Sequence, residues 1–342
     1  MKNLNESQNQ EIKESSGFGF FSKSKSSTLD DTNSLKEPTH HIKSFMKLLV
    51  SNSFRDTSEM IVDFIEGVKN GNYNDDIMKL SLHFHEFFNK FKKTLMASNQ
   101  FRQAVDNDST IMAVCIERVI FAKLSQIILN VIKKNKNDLK YSFKIYNLCW
   151  VNENHLQIPD KIMSNPNLII QFCSAQSHLR EMSVRNSPIG KLRLLTRCCR
   201  QLFTLIQAFE LNRAASADDF FPLLVYTILK TNPTDVHSNI DFINYFGQRS
   251  ILESGEYAYY FTSYTCAVQF IDKCEAKSFN VTETEFFENV ESSKTEIEKT
   301  IQSVNKRMEE LKKQRALLWQ KTVAFRHSLL HGELMHKSYD IK

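Results

Sequence analysis

The sequence predicts an all-α protein: a helical bundle packed against a second helical module, followed by a long C-terminal helix or coiled coil. Three observations carry this. Only 8 Gly and 6 Pro punctuate 342 residues, too few for a chain built of many short strands and tight turns. Apolar residues recur at helical spacing along most of the chain. Towards the C-terminus the recurrence changes to strict sevens, the period of a coiled-coil seam.

The elements follow in order. Residues 1–38 are rich in Ser, Lys, Asn and Glu and read as a disordered tail, with one apolar island, Gly17-Phe18-Gly19-Phe20-Phe21, that has the character of a short docking peptide. Helical patterning begins near His40 with Ile42, Phe45, Met46 and Leu49, and resumes from Met60 to Val68. It continues from Ile77 to Leu95 and from Ile111 to Ile132. Polar breaks at Ser51–Asp56, Asn70–Asn74 and Asp106–Ser109 separate these into the four helices of a bundle, residues 39–136.

A second module spans residues 137–287. It opens on Leu139 and Tyr146-Asn147-Leu148-Cys149-Trp150-Val151, turns at Pro159 and Pro166, and runs through helices near Leu168–Met182 and Lys191–Leu211. Leu192, Leu195, Cys199, Leu202, Ile206 and Phe209 form the core stripe of the latter. No linker divides the two regions, so they are expected to pack together. Residues 288–331 carry Val290, Ile297, Val304, Leu311, Leu318 and Phe325 every seven residues, with Lys294, Ile301, Met308, Arg315, Thr322 and Leu329 at the alternate seam position. Lys294, Arg315 and Thr322 weaken self-pairing and can set partner or register. The competing expectation is one long helix folded back on the body. A tail, residues 332–342, follows.

Composition excludes several function classes. The net charge of +5 is spread along the chain without a basic stripe or reader motif, which argues against nucleic-acid binding. No segment reaches the ~20 apolar residues of a membrane span, and the polar start has no secretory signal, so a soluble cytosolic protein is expected. The seven cysteines contain no C-x-x-C pair and read as reduced thiols, mostly buried. Gly190-Lys191 lacks the upstream Gly and the following Ser or Thr of a P-loop. His83 and His85 with Glu86, or His327 with His331, supply too few ligands for a metal site and read as packed or surface residues. Neither a cofactor nor a metal is expected, and no covalent chemistry.

The chemistry concentrates between Ser216 and Ile271. Asp219–Lys230 is apolar on nearly every face, so a helix there must be covered all round. Pro222 would sit where its nitrogen should donate to the carbonyl of Asp218, so the helix is expected to start near Phe221 or to kink there. Asp218 and Asp219 thus stand at a helix entrance, where Ser216 and both carboxylates suit capping. From Ala258 to Lys273, Phe261, Tyr264, Val268 and Ile271 fall on one stripe and Tyr259, Thr262, Cys266 and Gln269 on the opposite one. Tyr259 therefore points away from the core, as interface aromatics do.

The ordered run Asp218-Asp219-Phe220-Phe221-Pro222, Asn232-Pro233, Ser238-Asn239-Ile240 and Tyr259-Tyr260-Phe261-Thr262 resembles the Vps-nine domain of guanine nucleotide exchange factors for Rab-five-type GTPases. The likeness covers roughly residues 45–287 and is to the Rabex-like members, which join a four-helix bundle to the exchange module. Ile145–Val151 followed by His155-Leu156, and Pro188-Ile189-Gly190-Lys191-Leu192 followed by Cys198-Cys199, look like further landmarks. The resemblance implies an exchange factor for early-endosomal Rab proteins, recruited peripherally to early endosomes. It also implies that Asp218 is an aspartate finger reaching into the GTPase nucleotide site, and that Pro222, Tyr259 and Thr262 support or contact the switch regions. Two features depart from the family: there is no N-terminal Cys cluster for a ubiquitin-binding zinc finger, and Tyr257-Ala258 stands where an acidic-glycine pair is common. The partners expected are a Rab-five-type GTPase, nucleotide-free or GDP-bound, and a coiled-coil effector or a second copy along residues 290–329. The alternative is a non-catalytic coiled-coil adaptor that binds Rab GTPases without accelerating exchange.

Overall fold

The computed structural model describes residues 38–330 except 72, 74–75, 134–137, 160–164 and 210–215. The N-terminal tail with its Phe18-Phe20-Phe21 island, and His331 with the C-terminal tail, lie outside the described residues. Among those described, every regular element is a helix. The bundle contains α1 (Thr39–Leu49), α2 (Arg55–Asn70), α3 (Ile77–Ala97), a short α4 (Asn99–Ala104) and α5 (Ser109–Lys133). The second module contains α6 (Asp138–Asn147), α7 (Pro166–Met182), α8 (Pro188–Phe209), α9 (Ala217–Thr231), α10 (Val236–Phe246), α11 (Arg249–Leu252) and α12 (Gly255–Lys273), and α13 (Glu283–Leu330) closes the chain.

The bundle helices form because their apolar residues recur on one side. α3 buries Leu80, Phe84, Phe88, Phe91 and Leu95, spaced three or four apart, and its first turn is capped by Asp76, whose carboxylate accepts from Lys79 N at 2.9 Å. α5 buries residues from Met112 to Ile132 along most of its length, while Arg118, Lys123, Gln126 and Asn130 keep one side exposed.

The two cores interlock through α10. Phe242 and Phe246 leave their own module and enter the bundle, where Phe246 lies 5.5 Å from the ring of Phe84 and Phe242 lies 5.3 Å from that of Phe121. Polar ties line the same seam. His85 Nε2 meets the Tyr245 carbonyl at 2.9 Å, Ser81 donates to that carbonyl too, and Glu117 Oε2 accepts from Ile189 N at 3.1 Å. His83 packs against Phe64 and Tyr73, so both histidines of this region serve packing.

Most landmarks of the second module are clamps. Lys191 is fully buried and donates to the Met182 carbonyl at 2.9 Å and Asn239 Oδ1 at 2.8 Å, with Phe242 beneath it. Burial pushes its ammonium down to about 7. Asp138 receives His237 N at 2.7 Å and the Ser238 hydroxyl, joining α6 to α10. Trp150 meets His155, Phe279 and Phe286, which holds the start of α13 on the body.

Beyond that anchor α13 leaves the body. Ser293 is buried and Cys149 Sγ reaches its hydroxyl at 3.3 Å, but from Glu298 to His327 every residue is exposed. The helix does not fold back. The seam residues Val290 and Ile297 are half-buried near the body, so the free seam begins after Ile297 rather than at Val290.

Candidate functional site

The site is built on the start of α9. Ser216 is its N-cap in extended conformation, and a reciprocal capping box joins it to Asp219: Asp219 N donates to Ser216 Oγ at 3.3 Å, and Ser216 N donates to Asp219 Oδ2 at 2.9 Å. The Ser216 hydroxyl also donates to Asp219 Oδ2 at 2.6 Å. The helix therefore starts at Ala217 and runs through Pro222, instead of starting near Phe221. Pro222 removes one N–H, the donor for the carbonyl of Asp218, a residue exposed to solvent in the first turn of the helix.

Asp218 and Asp219 are thereby separated. Asp219 is half-buried and committed to the cap, whereas Asp218 is exposed and has no hydrogen bond or ion pair among the described residues. At the positive end of the helix a negative charge is favoured. Asp218, Phe221 and Pro222 share the outward face of the first turns, at i, i+3 and i+4.

Below them Phe220 turns inward and stacks on Phe203 of α8 at 4.4 Å between ring centroids. It also lies 6.0 Å from Tyr260 and 6.3 Å from Tyr259. This aromatic contact places the start of α9 against the first half of α12. There the expected division of faces is observed: Phe261, Tyr264, Val268 and Ile271 are buried, while Thr262, Cys266 and Gln269 are exposed. Tyr259, expected to point away from the core, is instead half-buried and packed against it beside Phe220 and Tyr260, and burial raises its phenol above the ordinary value. Asp218, Pro222, Tyr259 and Thr262, all singled out in sequence, therefore lie on two helices that touch.

Two further features complete the surface. Phe221, half-buried beside Pro222, meets Phe270 of α12 edge-on at 6.2 Å, which extends the apolar patch past Thr262. Arg200 grips Glu256 with two bonds of 2.6 Å, tying α8 to the first turn of α12. Phe221 carried a signal, as the apolar neighbour of the proline. The Arg200–Glu256 pair carried none, because its partners are far apart in sequence and only packing joins them.

Among the described residues, the second module is all-helical and carries, at a capped helix entrance, an exposed carboxylate flanked by a partly exposed aromatic patch. In comparison with known proteins, residues 172–276 match the vacuolar sorting protein 9 (VPS9) domain, and the chain carries such a domain. Over 153 residues, 44% of this chain and 30% of the relative, it is 38% identical to a mouse (Mus musculus) protein named Rab5 GDP/GTP exchange factor. It is 26% identical over 251 residues, 69% of this chain and 46% of the relative, to vacuolar protein sorting-associated protein 9A of Arabidopsis thaliana. A third relative, vacuolar protein sorting-associated protein vps901 of Schizosaccharomyces pombe, is 30% identical over 144 residues, 42% of this chain and 24% of the relative. The chain thus spans about 30% of the length of the mammalian relatives it matches. Among the described residues, no helix is long and apolar enough to cross a membrane.

Proposed function

We propose that this protein is a guanine nucleotide exchange factor for Rab5-type GTPases, acting from endosomal membranes to which partners recruit it, and that Asp218 is its aspartate finger. The observation that carries the reading is the division of labour at the start of α9. Asp219 holds the helix cap, whereas the neighbouring carboxylate is exposed on that braced helix end and has no partner among the described residues.

The mechanism follows from charge. A GTPase holds its nucleotide through a P-loop lysine and a Mg²⁺ ion on the phosphates. The Asp218 carboxylate, brought to that lysine, forms a charge-assisted bond in place of the phosphate and opposes Mg²⁺–phosphate coordination by like-charge repulsion. Tyr259, Thr262 and Pro222, with the Phe221–Phe270 patch beside them, form the apolar and polar bed on which a switch segment is held open. Such a factor binds nucleotide-free GTPase most tightly, and by linkage lowers nucleotide affinity by the same factor. The protein needs no covalent step of its own.

The test is release of fluorescent GDP from a Rab5-type GTPase. Asp218→Ala is expected to slow exchange at least about tenfold, or ~1.4 kcal/mol of barrier, with unfolding unchanged. Asp219→Ala is expected to lower stability and keep most of the exchange activity. The opposite pattern would overturn the assignment, and GTPase binding without acceleration by the wild type would identify an adaptor.

A further inference from the structure

The two ends of α13 carry opposite charge. From residue 283 to residue 298 it holds Glu283, Glu285, Glu288, Glu291, Glu296 and Glu298 against Lys294 alone, whereas from 311 to 329 it holds Lys312, Lys313, Arg315, Lys321 and Arg326 and no Asp or Glu. All of these side chains are exposed. The apolar seam runs along the same helix, and from Glu298 to His327 the body covers none of it. The open strip also continues towards the body: Phe287, Glu291 and Lys294 are exposed, although Phe286 and Ser293 on the adjoining face are held by Trp150 and Cys149.

A second copy can lie along this seam in two directions. A parallel pair closed by a two-fold axis is in register. Inside the seam it sets Arg315 against the partner's Arg315. On the flanks it sets Lys321 against the partner's Arg326 and Arg307 against the partner's Lys312, with no opposite charges meeting. Arg307 and Lys312 already meet Glu310 and Glu309 of their own helix, so the weight of this argument falls on Arg315, Lys321 and Arg326.

The antiparallel direction removes these conflicts. With Met308 opposite the partner's Leu311, Ile301 lies against the partner's Leu318 and Leu329 against the partner's Val290. Arg315 faces the partner's Val304, and its long stem carries the guanidinium out past the seam. On the flank Glu291 meets the partner's Arg326, and symmetry repeats the pair at the other end. The Glu291 carboxylate also takes Lys294 Nζ of its own helix at 3.2 Å, an exposed pair of the weakly held kind. No like charges face each other in this register. A shift of one heptad either way brings Arg307 against the partner's Lys321 or against the partner's Arg307.

We propose that α13 pairs with α13 of a second copy of this chain in antiparallel orientation, the acidic proximal turns of each against the basic distal turns of the other. The product is a rod with one body at each end, the two Phe286 anchors standing about 70 Å apart at ~1.5 Å per residue. The proposal rests on the helix alone and stands whether or not the exchange reading holds.

Sedimentation equilibrium of the full chain tests it. The wild type is expected to be a dimer at micromolar concentration. E291R and R326E should each weaken that dimer about tenfold, because one reversal turns two attractive pairs repulsive, and E291R/R326E should recover the wild-type constant to within about threefold. Rescue by the double variant separates pairing from misfolding. In a parallel pair the two side chains stand about 50 Å apart, and R326E would instead tighten the dimer by placing a carboxylate beside the partner's Lys321. The proposal is overturned by that result, by single variants that leave the constant unchanged or that the double variant does not repair, or by a mass above the dimer. A monomeric wild type overturns it too and leaves the seam to a helix of another protein.

Discussion

At the residue scale, two adjacent aspartates at the start of α9 differ in what each one touches. Asp219 and Ser216 exchange hydrogen bonds, so Ser216→Ala is expected to lower stability by about 1 kcal/mol in urea unfolding, whereas Asp218→Ala changes it little. Glu117 makes a different contribution. Its carboxyl is fully buried and held up to about 8, against an ordinary value of 4.5, with desolvation as the largest cause. A raised folded-state value means that the native state holds the proton more tightly. Its stabilising share is complete below about pH 4.5 and is lost as pH rises through about 8. Glu117→Gln keeps an acceptor for Ile189 N and removes the titration, so melting temperature measured from pH 5 to 8.5 should fall less steeply in the variant than in the wild type. Equal slopes would show that the group does not titrate there.

At the scale of elements, α10 is the member that makes the two regions one body. Phe242 and Phe246 are buried among bundle residues, and Tyr245 between them receives His85 and Ser81. Phe246→Ala is expected to cost about 3–5 kcal/mol, the usual range for emptying a buried aromatic site. Because the side chain bridges both cores, the bundle and the VPS9 domain should lose hydrogen-exchange protection together. Loss confined to α10 would mean that the cores are stable separately. The sequence made the helices on either side of this seam legible, since each keeps its own 3.6-residue stripe. It did not show that the aromatic face of α10 belongs to the neighbouring core, because a periodic pattern reports a buried face without saying what buries it.

For the molecule as a whole, the salient feature is the free length of α13. At 1.5 Å per residue its 48 residues span about 72 Å, and only the first turns are held, through Phe286 and Ser293. Ile301, Val304, Met308, Leu311, Leu318, Phe325 and Leu329 stay exposed along the seven-residue seam. A lone helix with such a stripe gains by pairing. We expect truncation after Glu298 to leave GDP release unchanged and to alter either the mass in analytical ultracentrifugation or recruitment to endosomes, with Leu311→Lys acting in the same direction. A truncated chain with the wild-type mass and location would remove the coiled-coil role from this helix.

The sequence by itself determined the helical class, the order of the elements, the two faces of α12 and the heptad seam, because each is a local periodicity that backbone geometry converts directly into a face. Asp218, Pro222, Tyr259 and Thr262 were marked as a set by resemblance to a known family and not by periodicity. Tertiary structure alone decided which aspartate is the cap, that α9 runs through Pro222 from Ala217, and that Arg200 holds Glu256. These depend on side chains brought together from distant points in the chain. Spacing along a sequence carries no information about such meetings until packing has chosen the neighbours.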